Sequence, residues 1–251
     1  MTKQIDLEAA PRTRYGDIAR SRPSWLPSRR GPGSFRDAFI RHPIARKLPL
    51  SFSPEHLRQD LDRIPGDWWE PHESAYHDGG WESVSLWAPN GDRRQQRSRG
   101  GAFQATDALR LCPYFHAVLD TFPGKRHRVR LMRLRAGSRI LRHSDPIHTI
   151  SAALTRVHVP IVTSRDVWFR VNGVRLLLMA GDAWTVDVRF RHEVENRSAL
   201  HRVHLVIDLL PDAAFQTLSD CAVIPARGLL LGYFMRHSLP ASLRRWGKVG
   251  N

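Results

Sequence analysis

Alternation of hydrophobic and polar residues dominates the second half of the chain. In segment 156–161 the odd positions hold valines and an isoleucine, and the even positions hold arginine, histidine and proline. Successive side chains of a strand point to opposite faces, so this pattern predicts a strand with one apolar and one polar face. Segment 202–209 repeats the pattern, and Asn172-Gly173 between two short apolar segments predicts a tight hairpin. Short strands with frequent turns favour an antiparallel barrel or jelly roll.

Helical spacing is found on either side of this β-rich part. Ser53 followed by Pro54 is typical of a helix N-terminus, and apolar residues at 57, 61 and 64 continue it at helical spacing. A Pro-Gly pair at 65–66 predicts the end of that helix. The pattern becomes helical again beyond Pro211. The predicted fold class is therefore mainly β, with flanking helices.

Composition divides the chain into three parts. Residues 1–48 contain repeated prolines and glycines and no apolar periodicity, which predicts a flexible basic N-terminal arm. Residues 49–211 hold an aromatic and helical segment and then the predicted strands, so they form the expected jelly-roll domain. Residues 212–251 predict a C-terminal helical extension. Inside the domain, the polar segment 89–101 contains four arginines and predicts an exposed, mobile loop.

Charge and cysteine content restrict the class of protein. The chain has 251 residues and a formal net charge of +15, which favours acidic partners. The basic residues are scattered and match no nucleic-acid-binding motif, so no specific nucleic-acid partner is expected. Cys112 and Cys221 are too few and too far apart for a disulfide framework or a metal knuckle. No apolar run reaches membrane-spanning length, and the first residues lack the apolar core of a signal peptide, so a cytoplasmic protein is expected.

Two histidines and an aspartate are the main candidates for chemistry. His143 and Asp145 are two positions apart, so on a strand both side chains would point to one face. Together with the downstream His192 they match the ligand set of a non-haem Fe(II) centre, which leaves metal positions open for a co-substrate and oxygen. A His-x-Asp pair also arises by chance, and His192 between Arg191 and Glu193 could instead be a loop histidine.

A polar row on the two alternating segments points to an anionic ligand. Arg202 and His204 share one strand face, as do Arg156 and His158. A charged row inside a small barrel is costly unless an anion neutralises it. A dicarboxylate with one end on the metal and the other on Arg202 would do so, because the guanidinium presents a fork of donors that suits a carboxylate. The alternative is an outward face on which these side chains meet water.

Six ordered motifs resemble the aspartyl/asparaginyl β-hydroxylase family. They are His143-x-Asp145, Arg156-x-His158-x-Pro160-Ile161, Val167-x-Phe169, Gly181-Asp182-x-Trp184, His192-x-Val194-x-Asn196 and Arg202-x-His204-x-x-x-Asp208, and the resemblance covers roughly 68–208. It implies a double-stranded β-helix, a cupin-like jelly roll, that uses Fe(II), 2-oxoglutarate and molecular oxygen.

The resemblance also implies roles for single residues. His143 and His192 would bind iron, and Arg202 would hold the distal carboxylate of 2-oxoglutarate with help from Arg156 and His158. Animal members of the family lack a carboxylate at the place of Asp145. Its presence here is similar to bacterial relatives that resemble free-proline cis-hydroxylases.

The substrate is expected to carry an anionic group. The preferred hypothesis is hydroxylation of an aspartyl or asparaginyl side chain in a peptide or carrier-bound substrate, in natural-product or peptide tailoring. The alternatives are a free amino-acid hydroxylase of the proline type and a non-catalytic cupin-like binding protein. Four candidate substrate contacts lie in the aromatic segment and beyond the His-x-Asp pair, and each could equally be a packing or surface residue: His72, Tyr76, Trp81 and His148.

Overall fold

Two β-sheets packed face to face form the body of the protein. The computed structural model describes residues 3–4, 43–97, 100–145, 154–218 and 223–225. The strands, in chain order, are β1 Lys3–Gln4, β2 Pro43–Ser51, β3 Glu70–Pro71, β4 Trp81–Pro89, β5 Phe103–Ala105, β6 Lys125–Leu134, β7 Arg139–His143, β8 Thr155–Val162, β9 Val167–Val171, β10 Val174–Leu176, β11 Asp182–Val186, β12 His192–Asn196, β13 Arg202–Leu210 and β14 Val223–Pro225.

The larger sheet has the order β1-β2-β11-β8-β13-β6-β4-β3, with β14 paired to β2 and β5 to β4. The smaller sheet has the order β10-β9-β12-β7. All pairs are antiparallel except β1 with β2. The mainly β jelly-roll fold that the sequence predicts is confirmed.

Short helices cover the outer face of the larger sheet. They are α1 Pro54–Leu61, a 3-10 helix Gly66–Trp68, α2 Asp107–Arg110, α3 Pro113–Asp120 and α4 Ala213–Leu218. Ser53 caps α1 by accepting a hydrogen bond from the amide of His56, as its sequence predicts. The hairpin at Asn172-Gly173 is confirmed as well, because both residues have positive φ, 50° and 76°. Among the described residues, no helix is both long and apolar enough to cross a membrane.

Strand β13 shows how the two faces of the larger sheet differ. Its residues 203, 205, 207 and 209 belong to the core beneath the helices, where Phe115 is fully buried. Its residues 202, 204, 206 and 208 face the smaller sheet, and only Val206 among them is apolar. Both sets are buried. The polar face therefore lies inside the barrel, and the alternative of an outward face that meets water is wrong.

The three-part division of the chain stays a prediction, with two local differences. Strand β2 begins at Pro43, so order starts earlier than the expected end of the arm at residue 48. Pro43 is tolerated there because a proline at the first position of a strand removes no essential ladder bond. Strand β14 pairs with β2, so the extension predicted as helical contains a strand at Val223–Pro225. Residues 1–2, 5–42, 219–222 and 226–251 lie outside the described residues.

The polar loop 89–101 is attached to the sheet, contrary to the expected mobile loop. Gln96 is buried; its amide donates to the carbonyl of Pro71 and accepts from the amide of Glu73. Ser85 donates to the carbonyl of Gln95 at 2.8 Å. The composition of the loop does not predict these contacts. They depend on a single glutamine that forms hydrogen bonds with buried backbone groups, and one such residue produces no recognisable sequence pattern. Residues 98–99 lie outside the described residues.

Candidate metal centre

The two predicted histidines lie next to each other where β7 ends and β12 begins in the smaller sheet. His143 ends β7, His192 begins β12, and the two residues are directly opposite in the strand register. The Nδ1 atom of His143 lies 2.7 Å from the carbonyl oxygen of Leu141, and Nδ1 of His192 lies 3.0 Å from that of Phe190. A carbonyl only accepts, so each Nδ1 carries the proton and donates it. Each Nε2 therefore keeps its lone pair for a metal.

Asp145 completes the group from just beyond the end of β7. Its amide donates to the carbonyl of Val188 at 3.0 Å, which fixes the backbone there. The ligand atoms of His143, Asp145 and His192 all lie within 4.8 Å of one another, and Nε2 of His143 is 3.4 Å from Oδ1 of Asp145. Imidazole and carboxylate ligands bind a metal at about 2.0–2.2 Å, so small side-chain rotations allow all three to share one ion. The structure thus brings together the three predicted ligands.

The protonation states also suit a metal. Burial lowers the pKa of His192 to about 4, so its imidazole is neutral at neutral pH. Burial alone would raise the pKa of Asp145, yet the guanidinium of Arg156 holds it well below its ordinary range. Metal ligands must be deprotonated to bind, and both residues meet that condition. Two imidazoles and one carboxylate are the donor set of the facial triad of Fe(II) oxygenases.

Arg156 connects the triad to a second buried carboxylate. Its Nη1 donates to Asp145, its Nε donates to Oδ1 of Asp208 at 2.7 Å, and its Nη2 donates to Oδ2 of Asp208 at 3.2 Å. Arg128 donates to the same Oδ2 from Nε at 3.1 Å and from Nη2 at 2.8 Å. Asp208 is 3% exposed, and these arginines hold its pKa well below the ordinary range although burial alone would raise it. We name Arg128, Arg130, Arg156, Asp145 and Asp208 the ion network.

Arg202 has a very different environment. It is 3% exposed, and its Nη2 lies 2.9 Å from Nδ1 of His204. Within the described parts of the chain, no carboxylate lies within ion-pair distance, and Nε of Arg202 has no hydrogen-bond partner. Burial lowers its pKa to about 9. An isolated buried cation is costly unless it is paired, so the site fits an anionic group that is brought by a ligand.

The surroundings of Arg202 combine an aromatic ring with two buried imidazoles. The guanidinium carbon lies 5.7 Å from the centre of the Phe169 ring. A guanidinium only donates, so Nδ1 of His204 accepts and its proton sits on Nε2, which is buried without a partner. Nε2 of His158 is also buried without a partner. A small cavity of about 10 Å³ lies beside His204, with Thr163 and Ser164 among apolar lining residues.

Two of the four predicted substrate contacts lie beside His143, and a third stacks on one of them. The ring of Tyr76 stacks on that of His143, with centroids 4.8 Å apart, and Tyr76 is 51% exposed. The ring of Trp81 lies 6.4 Å from that of His143, and His72 stacks on Trp81 at 3.5 Å. The fourth, His148, lies outside the described residues. An aromatic rim therefore borders the candidate metal site on its exposed side.

Sequence reasoning missed the roles of Arg128, Arg130 and Asp208. The signal was present in β6, where arginines at 126, 128 and 130 alternate with other residues in a strand that is apolar at 129 and 131. Period-two alternation with arginine in the middle of a sheet indicates a buried polar face. The partner could not be read from the sequence, because Asp208 is far from β6 along the chain.

Comparison with known proteins agrees with this geometry. The fold and the triad define the chain as a non-haem Fe(II), 2-oxoglutarate-dependent oxygenase of the hydroxylase type. Residues 53–211 match the family model described as Aspartyl/Asparaginyl beta-hydroxylase, and the chain belongs to this family. No match was found among curated proteins.

Several solved structures are similar at low identity. An oxidoreductase of the 2OG-Fe(II) oxygenase family from Burkholderia pseudomallei is 16% identical, with 69% of this chain and 81% of that chain covered and a TM-score of 0.43. A prolyl-4-hydroxylase from Pseudomonas putida is 13% identical, with 68% and 94% covered and a TM-score of 0.45. HygX from Streptomyces hygroscopicus, with nickel, 2-oxoglutarate and hygromycin B bound, is 10% identical, with 74% and 93% covered and a TM-score of 0.42. The family assignment rests on the family model.

Proposed function

We propose that the chain hydroxylates an aspartyl or asparaginyl side chain in a peptide or carrier-bound substrate, with His143, Asp145 and His192 as the iron ligands. One observation carries the assignment of the site. A His-Asp-His group with both histidines buried lies in the same barrel interior as a buried arginine that has no acidic partner among the described residues. The first arrangement suits a metal, and the second suits the far carboxylate of a dicarboxylate that is bound to that metal.

Each residue of the site then has a definite task. When bound, iron with 2-oxoglutarate and oxygen supplies the oxidising chemistry, in which 2-oxoglutarate is converted to succinate and carbon dioxide as the substrate is hydroxylated. The Nδ1–H donors of His143 and His192 keep their rings oriented toward the ion. Arg202 binds the distal carboxylate of 2-oxoglutarate. Arg156 donates to Oδ2 of Asp145, which leaves Oδ1 directed toward His143 and available as a ligand.

The prediction that Arg156 helps to bind the co-substrate is modified in this proposal. Three of its nitrogen atoms already donate to Asp145 and Asp208. We therefore infer that Arg156 acts mainly as a positioning residue for the carboxylate ligand. His158 keeps its predicted role near the co-substrate, because it is buried, close to His204, and has an unpartnered Nε2.

The aromatic rim supports a substrate that enters from solvent. Tyr76 is half exposed and contacts His143, so a side chain presented by a larger molecule can approach the metal across it. The arginines of the 89–101 loop add less support for an acidic substrate than their number suggests. Arg93, Arg94 and Arg97 already pair with Asp107, Glu70 and Glu73.

A free amino acid of the proline type is the second candidate. The observation in its favour is the carboxylate at Asp145, whose Oδ1 lies 3.4 Å from Nε2 of His143. The resemblance associates that carboxylate with bacterial relatives that are similar to free-proline hydroxylases. A non-catalytic binding role is disfavoured, because the three ligands and Arg202 are all present.

Succinate release with a substrate panel tests the proposed function. The protein is loaded anaerobically with Fe(II), supplied with 2-oxoglutarate and oxygen, and offered end-blocked aspartyl and asparaginyl peptides beside free proline. We expect succinate in step with gain of one oxygen atom by an aspartyl or asparaginyl peptide, and no turnover by the double variant His143→Ala/His192→Ala. Hydroxylation of proline with the peptides ignored would establish the second candidate. Equal Fe(II) binding by wild type and the double variant would overturn the ligand assignment.

A further inference from the structure

We propose that Arg130 and Ser83 form a second anion-binding subsite, which takes a carboxylate of the substrate to be hydroxylated. The inference rests on the proposed function and deepens it by naming the substrate class. The carboxylate can come from two sources, the side chain of an aspartyl residue or the α-carboxylate of a free amino acid. Both offer the same chemistry to the subsite.

The strand register places Arg130 on the inner face of the larger sheet, away from Arg202. Arg130 lies opposite Val206 of β13 on one side and opposite Ser85 of β4 on the other. Arg202 lies opposite Leu134, four residues further along β6. A strand rises about 3.3 Å per residue, so the two arginines start roughly 13 Å apart along this face. They therefore cannot serve as two halves of a single carboxylate clamp.

Arg130 is the member of the ion network whose charge is least compensated. It is 3% exposed, and its Nη2 lies 3.4 Å from Asp208. Among the described residues this is its only hydrogen bond to a carboxylate, and its Nε has no partner there. Arg128 and Arg156 take the oxygens of Asp208 at 2.7–3.2 Å. Three arginines thus face two carboxylates in the network before any metal is added. A buried guanidinium with one weak contact is costly, and a bound carboxylate would compensate it.

Neighbouring donors on the same face also lack partners. Ser83 is 1% exposed and lies opposite Met132, one step along the inner face from Arg130. Its Oγ has no hydrogen-bond partner in the part of the chain that the structure describes. Nε1 of Trp81, the next inner residue of β4, is likewise buried without a partner. A guanidinium, a hydroxyl and an indole N–H all donate hydrogen bonds. A cluster of unpartnered donors favours an anion over a cation or an apolar group.

The subsite borders the candidate metal centre. Trp81 stacks on His72 and lies 6.4 Å from His143, between ring centroids. Arg130 also shares Asp208 with Arg156, which in turn contacts Asp145. A carboxylate held by Arg130 therefore places the rest of a small substrate, or of one aspartyl residue, beside the metal. An asparaginyl amide lacks the charge and presents N–H groups to donors, so the subsite favours aspartyl over asparaginyl.

Paired probes that differ only in the carboxylate test the subsite. Protein loaded with Fe(II) and 2-oxoglutarate under anaerobic conditions is titrated with N-acetyl-aspartate amide and N-acetyl-asparagine amide, and with L-proline and prolinamide. Binding is followed by tryptophan fluorescence and calorimetry, so the readout does not depend on turnover. We expect wild type to bind the carboxylate of at least one pair about tenfold or more tightly than its amide, since one charge-assisted hydrogen bond supplies this difference. The pair that discriminates identifies the source of the carboxylate.

Variants assign that preference to Arg130. Arg130→Gln should bring the carboxylate-to-amide ratio close to one, Ser83→Ala should reduce it, and both should leave 2-oxoglutarate affinity unchanged. Arg110→Gln, which removes an exposed positive charge at the end of α2, should keep the wild-type ratio. Equal affinities for carboxylate and amide in wild type, including no binding of either, would overturn the proposal. An Arg130→Gln variant that keeps the full preference, or that loses 2-oxoglutarate instead, would overturn it as well.

Thermal unfolding without ligands separates a binding role from a structural one. Arg130→Met should unfold at the same temperature as wild type or higher, because the variant loses one weak contact and no longer buries an under-compensated charge. Its matched control, Arg128→Met on the same face of β6, breaks the two hydrogen bonds to Asp208 and should unfold about 6 °C or more below wild type. A loss for Arg130→Met as large as for the control would show that Arg130 is structural and would overturn the proposal. A failed hydroxylation assay concerns the proposed function and leaves these two measurements intact.

Discussion

Arg156 and Arg202 have the same local sequence and opposite surroundings. Each begins an Arg-x-His motif on a central strand, and β8 and β13 are antiparallel neighbours. The two arginines therefore lie at opposite ends of one inner face. Arg156 donates to two carboxylates, whereas Arg202 contacts an imidazole and the face of a phenylalanine ring. The position of the arginine in the motif determines the sheet face on which it lies. The residues of the neighbouring strands determine which groups it contacts.

The difference has a physical consequence for each end of the site. At the Arg156 end two carboxylates of the protein compensate the charge of Arg156, and this pairing positions Asp145. At the Arg202 end the positive charge is compensated only when an anion binds. Charged groups that are paired within the protein are expected where a metal ligand must be held in one orientation. A charged group without a protein partner is expected where a co-substrate binds and its product is released.

Removal of the central carboxylate should have the largest effect. Asp208→Asn leaves Arg156 and Arg128 buried without their common counter-charge, which should cost about 3–5 kcal/mol, or roughly 6–20 °C in melting temperature. Arg202→Met, at the other end, should be neutral or stabilising when no ligand is present. Thermal unfolding of both variants measures the contrast. If both variants lost the same amount of stability, the proposed difference between the Arg156 end and the Arg202 end would be wrong.

The same carboxylate gives the pH dependence its sign. The pKa of Asp208 is lowered in the folded protein, because the arginines outweigh the effect of burial. Its stabilisation is therefore fully present above the unfolded pKa of about 3.9 and is lost as pH falls further below that value. The difference in unfolding free energy between wild type and Asp208→Asn should be constant at neutral pH and shrink progressively below about pH 4. A difference that stays constant into the acid range would contradict the pairing.

Loss of Arg202 should act on the co-substrate alone. Arg202→Ala removes a charge-assisted contact in a buried site, which costs about 2–5 kcal/mol, or about thirty-fold and upward in 2-oxoglutarate affinity. Iron affinity should change far less. Arg202→Lys should rescue only in part, because an ammonium cannot present the fork of donors. If the 2-oxoglutarate dependence of Arg202→Ala were unchanged, a residue other than Arg202 would bind the distal carboxylate.

Arg156→Gln should show the reverse selectivity. It frees Oδ2 of Asp145 from its guanidinium partner, and removal of a residue that orients a metal ligand typically weakens metal binding by about 10–100-fold. The 2-oxoglutarate requirement at saturating iron should change less than in Arg202→Ala. Anaerobic Fe(II) titration beside a 2-oxoglutarate series separates the two effects. If Arg156→Gln instead impaired 2-oxoglutarate more than iron, the direct co-substrate role inferred from the resemblance would be restored.

The sequence predicts the two faces of the sheet and the grouping of His143, Asp145 and His192, because both depend on short-range regularities. The alternation at 156–161 and 202–209 has the period of a strand, and the His-x-Asp pair and His192 come together through the pairing of β7 with β12. The ion network could not be predicted in this way. It requires β13 to lie between β8 and β6, and this order depends on long-range pairing.

Two other structural features could not be predicted from the sequence, for related reasons. The loop 89–101 has the composition of a mobile segment, and its attachment depends on Gln96, whose amide matches backbone groups of another segment. Strand β2 begins at a proline, and prolines in a segment without apolar periodicity conceal a strand. In both cases the stabilising partners are distant in sequence, so local composition is a poor guide.

The arginines of that loop should give the smallest effect. Arg93 pairs with Asp107 at 2.7 Å and lies over Trp68, and Arg97 pairs with Glu73 at 2.9 Å. Ion pairs at the surface contribute little, and the charges of these two arginines are already matched. The double variant Arg93→Gln/Arg97→Gln should therefore change turnover of an acidic peptide by less than about fivefold at low salt. Added salt should slow wild type and variant to the same extent, since the double substitution leaves most of the positive field in place. A salt series of initial rates, with 2-oxoglutarate decay without substrate as the control, measures this. A large loss of turnover that occurs only at low salt would mean that this loop attracts the substrate electrostatically. Paired arginines at the surface would then contribute as much to function as the buried Arg202.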